Sequence, residues 1–422
     1  LKSLARLALA GLFILLSQTS LLGRSAFFAP LLAAQEEEEE EPWKKDPYTD
    51  NDPEKWKAAG YTDFGRFLWA GDHGTTQIEK TLGAVEIIWL ETEHFQLGCS
   101  LNSYKIPPDK IQKKKILAEL DRLREKLPTI PKKVRVLNPW LRAHLYAQRL
   151  EDLWAEYTGL LGVSLSDFPD KPGRLVKGHY MGEGKYLGQK NKFTVMIVTK
   201  ESTLGRYCER FANAYAHGGS KTHNFAESGS LFYGTCTELA EGYLSDDSRL
   251  HCNVIFGVTK NLLLGLKGYI HSLPLWFTEG LAHWYVDQID ERYHMFSKTK
   301  ETFPNGKKLW KWRPRIKKLA KFGPEAYPSG NRLFEWSDLN TLAISHHMMF
   351  WSKVDYLLTN QKEAFGKFIL GMNDRIFQPG VPANIEKVLQ YQKQLFTEAF
   401  GVDYEQFEAL WADWVLDEYP TK

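Results

Sequence analysis

The spacing of apolar residues changes along the chain, and each change predicts a different element. Val85-Glu86-Ile87-Ile88-Trp89-Leu90 and His94-Phe95-Gln96-Leu97 alternate as strands with one wet face do. In Lys113–Leu127 the apolar residues Ile116, Leu120, Leu123 and Leu127 recur every three or four positions, the period of an amphipathic helix. Trp140–Leu161 repeats the pattern with Leu141, Leu145, Leu150, Leu153, Trp154, Tyr157 and Leu161, and Pro139 and Gly162 punctuate its ends. Phe193–Val198 is a short β-branched run, the mark of a buried strand. Helical spacing returns near Ser248 and extends through Asp287, then again over Leu339–Leu358, Glu363–Leu370, Ile385–Phe400 and Tyr404–Val415. The pattern predicts an α+β chain, mainly helical, with a small N-terminal sheet.

The two ends modify that picture. Lys2 and Arg6 precede the apolar run Leu7–Leu16, and Leu32-Ala33-Ala34 offers a cleavage point, so residues 1–34 read as an export signal and the protein as exported. Arg24 interrupts the apolar stretch, which leaves an uncleaved anchor as the alternative. Residues 35–57 hold six consecutive acids, Glu36–Glu41, and three prolines, and are expected to form a flexible leader. Two segments follow: 58–247, carrying the strands and first helices, and the helical 248–422. Within the latter, 301–330 is expected to be a basic loop in which Lys307, Lys308, Lys311, Arg313, Arg315, Lys317, Lys318 and Lys321 are interleaved with Trp310 and Trp312.

Composition and charge narrow the partners. The chain of 422 residues has 54 Lys+Arg against 52 Asp+Glu, and loss of the signal with Lys2, Arg6 and Arg24 turns the formal charge of +2 into −1. Nucleic acid is disfavoured as a main partner, because counterion release needs a cationic surplus. No later apolar run reaches the roughly 20 residues of a membrane span, so no transmembrane helix is expected in the mature chain. Export permits disulfides, yet Cys99, Cys208, Cys236 and Cys252 form no CxxC pair; free buried thiols or one structural disulfide fit them. Gly182, Gly184 and Gly188 precede a strand instead of following one, the wrong order for a phosphate loop, and are expected to make a turn.

The chemistry concentrates in one stretch. His251-Cys252-Asn253-Val254-Ile255 lies on a predicted helix, and Leu273-Pro274-Leu275-Trp276-Phe277-Thr278-Glu279-Gly280-Leu281-Ala282-His283 opens the next one. A helix, a connector and a second helix carrying Glu-Gly-Leu-Ala resembles the gluzincin branch of the zinc metallopeptidases, in particular the secreted peptidase MA-like domains of unknown function common in planctomycete bacteria. Glu91-Thr92-Glu93-His94-Phe95, Phe350–Leu357 and Phe400-Gly401 with Trp411 carry the likeness outward, over about Val85 to Val415. The resemblance implies a gluzincin-like fold. It also implies a site in which His-Glu-x-x-His supplies two zinc ligands and a general base, and a Glu of the next helix completes the set.

Laid on this chain, the resemblance makes His251 the first ligand and Glu279 the third, with Cys252 in place of the base and Ile255 in place of the second His. A thiol lacks the carboxylate that would activate water, and Ile255 has no lone pair. A rearranged set of His251, Glu279 and His283, with His271 as a fourth donor, would still have zinc-compatible chemistry, and a hydrogen-bonded core histidine is the alternative for His251. His346 and His347 are neighbours that point to different faces of a helix, so they cannot both hold one ion. His217 and His223 read as polar loop residues. The sequence therefore predicts a non-catalytic metallopeptidase-like protein that binds a peptide, protein or envelope polymer without a cofactor. The alternative is a zinc hydrolase with the rearranged set.

Overall fold

The computed structural model describes residues 41–422 apart from 171–174, 177, 216–217, 298–310, 328–329 and 375–383. The segment 1–34 expected to be an export signal, Lys307, Lys308, Trp310 and His217 thus lie outside the described residues. Six strands form one sheet: β1 (Tyr61–Phe64), β2 (Ile88–Thr92), β3 (Phe95–Ser100), β4 (Phe193–Val198), β5 (Lys221–Phe225) and β6 (Ser230–Cys236). Their spatial order is β1-β2-β3-β4-β6-β5. β4 runs parallel to both β3 and β6, and each of its six residues is buried. Burial on both faces explains why Phe193–Val198 is apolar without alternation. Among the described residues the edge strand β5 pairs antiparallel with β6 alone.

Strand β2 starts at Ile88, three residues later than the alternation predicts. Gly83, at φ +69°, ends helix α2 (Thr75–Leu82), and the turn bond from Val85 N to Gly83 O (2.7 Å) keeps the chain bent until then. The chain is mainly helical with a small sheet, as the α+β expectation has it, and β5 and β6 are the strands of that sheet that were not legible as a pair. Gly182 and Gly188 adopt φ of +85° and +95° around the Tyr186–Gln189 bridge, so the glycine stretch is a turn.

Residues 41–57 are not a flexible leader. Asp46 is fully buried, accepts hydrogen bonds from Tyr48 N (2.9 Å) and Thr49 Oγ1 (2.5 Å), and lies 3.2 Å from His144 Nε2. Helix α1 (Pro53–Ala58) stacks Trp56 on Phe64. The acidic run ends at Glu41, and the aromatic residues after it supply the apolar area that the acids lack.

Helix α3 (Lys110–Lys126) and helix α4 (Pro139–Leu161) match their predicted spans closely. Asn138 caps α4 by accepting from Leu141 N (2.8 Å), Pro139 pre-sets the first turn, and Gly162 closes it at φ +65°. Asn138→Ala is expected to lower stability by about 1 kcal/mol, the usual worth of such a cap. An unchanged urea midpoint would show that the cap contributes nothing.

The second half is built from α6 (Asp247–Gly265), α7 (Leu275–Ile289), α8 (Trp312–Phe322), α9 (Ile344–Asn360), α10 (Lys362–Met372), α11 (Ile385–Phe400) and α12 (Tyr404–Glu418), with α5 (Glu201–Phe211) preceding them on the sheet side. Helix α7 packs against both α6 and α9. Trp276, at the start of α7, is fully buried and donates to Gln392 Oε1 (2.7 Å). The expected basic loop becomes helix α8 from Trp312 onward, because Trp312 and Ile316 face the core and Arg313 pairs with Asp287 (2.7 Å). Segments 58–247 and 248–422 share one unit that spans Glu41–Lys422, in which α4 packs on α6 and α10. No helix among the described residues is long and apolar enough to cross a membrane. All four cysteines are free and buried.

Candidate metal centre

Three helices converge on Glu279. Glu279 and His283 are one turn apart on α7 and therefore share a face, and both are buried. His347 enters from α9, 64 residues beyond His283, with its Nδ1 3.0 Å from His283 Nε2 and 3.7 Å from Glu279 Oε2. One ligand atom from each of Glu279, His283 and His347 lies within 4.8 Å of the others. In donor type and spacing these three side chains could hold a metal ion.

The triad has a cation beside it. Lys260 on α6, nineteen positions before Glu279, donates from Nζ to Glu279 Oε1, and also to Ser297 Oγ at 2.5 Å. Ser297 Oγ donates to the same carboxylate oxygen at 3.2 Å. The Lys260 side chain keeps 17% exposure while Glu279 keeps none, so the ammonium reaches in from the rim. Glu279 Oε2 and His283 Nδ1 are buried and have no hydrogen-bond partner among the described residues. Phe256, Phe296 and Trp312 rings stand 5.0, 5.6 and 5.2 Å from the His283 ring and close that side to water. Burial, together with the nearby His347, His294 and Lys260, holds His283 well below the ordinary imidazole range, so it is neutral at pH 7.

His251, the first ligand expected from the sequence, does not join this cluster. It sits on the opposite face of α6 with Ile255, and the two line a groove of about 350 Å³ between α3, α4, α6 and α7. There His251 Nδ1 lies 3.7 Å from Glu119 Oε1, and the ring meets Tyr146 edge-on. Burial and the neighbouring Arg149 push its pKa well down. Cys252 is fully buried, and burial raises its thiol far above the ordinary value, so it offers no thiolate. His271 is exposed beside Tyr269, and His223 lies on the edge strand β5 against Phe225.

The α6 positions that meet Glu279 and His283 are Phe256 and Lys260, five residues further along than His251 and Ile255. A five-residue shift turns a helix by about 140°, enough to exchange its faces, and it also shortens the long interval to Glu279. Between them Gly257 has no side chain, and a Cβ there would stand 2.0 Å from the Tyr233 ring. Tyr233 is fixed from β6 by donating to Asn253 O (3.0 Å) and Asn253 Oδ1 (2.8 Å).

His347 was set aside in the sequence because its neighbour His346 faces elsewhere. That geometry holds: His346 Nδ1 accepts from Ala343 N (3.0 Å) at the start of α9. Only the other member of the pair reaches the site, and no local signal in the chain identifies it. Comparison of the chain with known protein families, curated proteins and solved structures finds no match.

Proposed function

We propose that this chain is an exported, non-hydrolytic protein of gluzincin-like fold, whose former catalytic cleft binds a polypeptide. The observation that carries the reading is the set of residues on α6 opposite Glu279. With Phe256, Gly257 and Lys260 in the places of the first ligand, the general base and the second ligand, Glu279 alone retains its type. The Tyr233 ring occupies the space that a base at residue 257 would need, so the proton transfer that a metallopeptidase performs has no carboxylate and no room. The Lys260 ammonium supplies next to Glu279 the positive charge that a second ligand would have brought in as metal.

Of the partner classes that the sequence suggests, a peptide, a protein or an envelope polymer, an extended polypeptide is favoured by the edge strand β5, which pairs on one side only. Its free backbone groups suit strand addition, and Ser220, Thr235 and Tyr233 tie this edge to Asn253 of α6. Zinc hydrolysis by a rearranged set is the competing reading. Two imidazoles and a carboxylate are zinc donors, but that set needs His251, which lies across the helix.

Purified protein incubated with zinc and a mixed quenched-fluorescent peptide library is expected to show no cleavage. Zinc-dependent cleavage that disappears in a folded Glu279→Ala variant would overturn the proposal. Hydrogen exchange at Lys221–Phe225 is expected to slow when the protein is saturated with a binding peptide.

A further inference from the structure

We infer that Glu279 Oε2, His283 Nε2 and His347 Nδ1 form a buried three-ligand site for one divalent transition-metal ion of the zinc or cobalt class, with the fourth tetrahedral position left to a water molecule, on a ligand set different from the one the sequence suggests. The inference stands on these side chains and not on the peptide-binding reading, so either can fail alone.

The first support is spacing. Metal–ligand bonds of about 2.0–2.1 Å place tetrahedral donors about 3.4 Å apart, and the measured separations of 3.0 Å and 3.7 Å fall on either side of this. The second is valence. At 3.0 Å the two imidazole nitrogens can share only one proton, and the ion would replace that proton and engage both lone pairs. The third is the unpartnered Glu279 Oε2. A fully buried carboxylate oxygen aimed at two imidazoles needs a cationic or donor partner, and Lys260 and Ser297 serve only Oε1. The carboxylate is therefore divided: one oxygen is fixed by the lysine and the other is turned toward the histidines.

Lys260 sets the affinity. Its charge lies one carboxylate away from the ion and opposes it, while its bond to Oε1 orients Oε2. The aromatic rings of Phe256, Phe296 and Trp312 on the His283 side exclude water there, so the site holds its ion as a structural cross-link between α7 and α9.

The test is titration of the metal-free, full-length protein with Co²⁺, read by visible absorption, alongside metal analysis of the protein as purified. One equivalent with the intense visible bands of a tetrahedral site is expected. His347→Gln should weaken binding more than about tenfold, the loss that removal of even an outer partner of a ligand brings. His251→Gln, on the far face of α6, should leave it unchanged, and Lys260→Met should tighten it. Circular dichroism identifies any variant that fails to fold, in which case Glu279→Gln replaces it. Absence of Co²⁺ bands in both the wild type and Lys260→Met would overturn the inference, as would binding that His347→Gln does not affect.

Discussion

Asp247→Ala is expected to destabilise the protein by about 3–5 kcal/mol, the cost of removing one member of a buried ion cluster and leaving its partners uncompensated. Asp247 is fully buried at the start of α6. It accepts from Arg149 Nη2 at 2.9 Å, from Arg142 Nη2 at 3.3 Å and from Tyr146 OH at 3.3 Å. Arg149 is held in turn by Glu119, at 3.1 and 2.7 Å. Burial alone would raise the Asp247 carboxyl, but the two guanidiniums outweigh it and set its pKa at about 2. The folded pKa lies below the unfolded one, so the stabilisation is present above about pH 4 and is lost as pH falls toward 2. A shift of this size corresponds to roughly 2 kcal/mol.

The buried histidines act earlier in the same direction. His251 and His283 are held well below 6.5, so below that pH the unfolded chain binds protons that the folded chain refuses, and stability falls. Urea midpoints measured between pH 7 and pH 2.5 should therefore decline in two stages, the first below about 6.5 and the second below about 4. Asp247→Asn should shrink the second stage, leaving the part that Asp46 and Glu151 carry. A midpoint independent of pH below 4 would show that the cluster contributes no net stability.

The sequence carried the fold better than the site, for identifiable reasons. The helices Lys110–Lys126 and Pro139–Leu161 were legible because their apolar residues recur at helical spacing and each has its own cap or breaker, although only the first buries a single stripe and the second is buried all round from Trp140 to Leu150. β5 and β6 were not, since a strand that is polar at the edge and one that is buried throughout both lack alternation. Residues 41–57 misled because the six acids dominate local composition, while the contacts that fold them come from far along the chain: His144 beside Asp46, Thr129 and Asn138 on Tyr48, and Trp140 on Trp43.

At the site, Glu279 and His283 were found because helical spacing alone puts them together. His347 is joined by tertiary packing only. His251 drew attention as the one histidine on α6, although residue type says nothing about which face of a helix meets its neighbour. Lys260, a cation in an apolar helix, was the residue on α6 that set the facing side apart.

Restoring imidazoles in the structural register should therefore create a metal site where the present one has a lysine. Phe256→His with Lys260→His places two imidazoles one turn apart on the face of α6 that meets Glu279, the arrangement that grips zinc between two helices. In a His347→Gln background, which weakens the proposed triad, the double substitution is expected to bring binding back to one equivalent of zinc per chain, whereas His347→Gln alone binds zinc more than about tenfold more weakly than the wild type. It should not restore hydrolysis. Residue 257 would still lack a carboxylate, and the Tyr233 ring would still fill the space beside it. Activity should appear only when Gly257→Glu and Tyr233→Ala are added together, with a gain of about 10²–10⁴-fold over the zinc-loaded double substitution, the range of a positioned general base. Gly257→Glu alone, driven into the Tyr233 ring, should destabilise the fold. If zinc-loaded protein cleaves peptides with Gly257 and Tyr233 intact, the blocked-base reading is wrong and the water must be activated by another group.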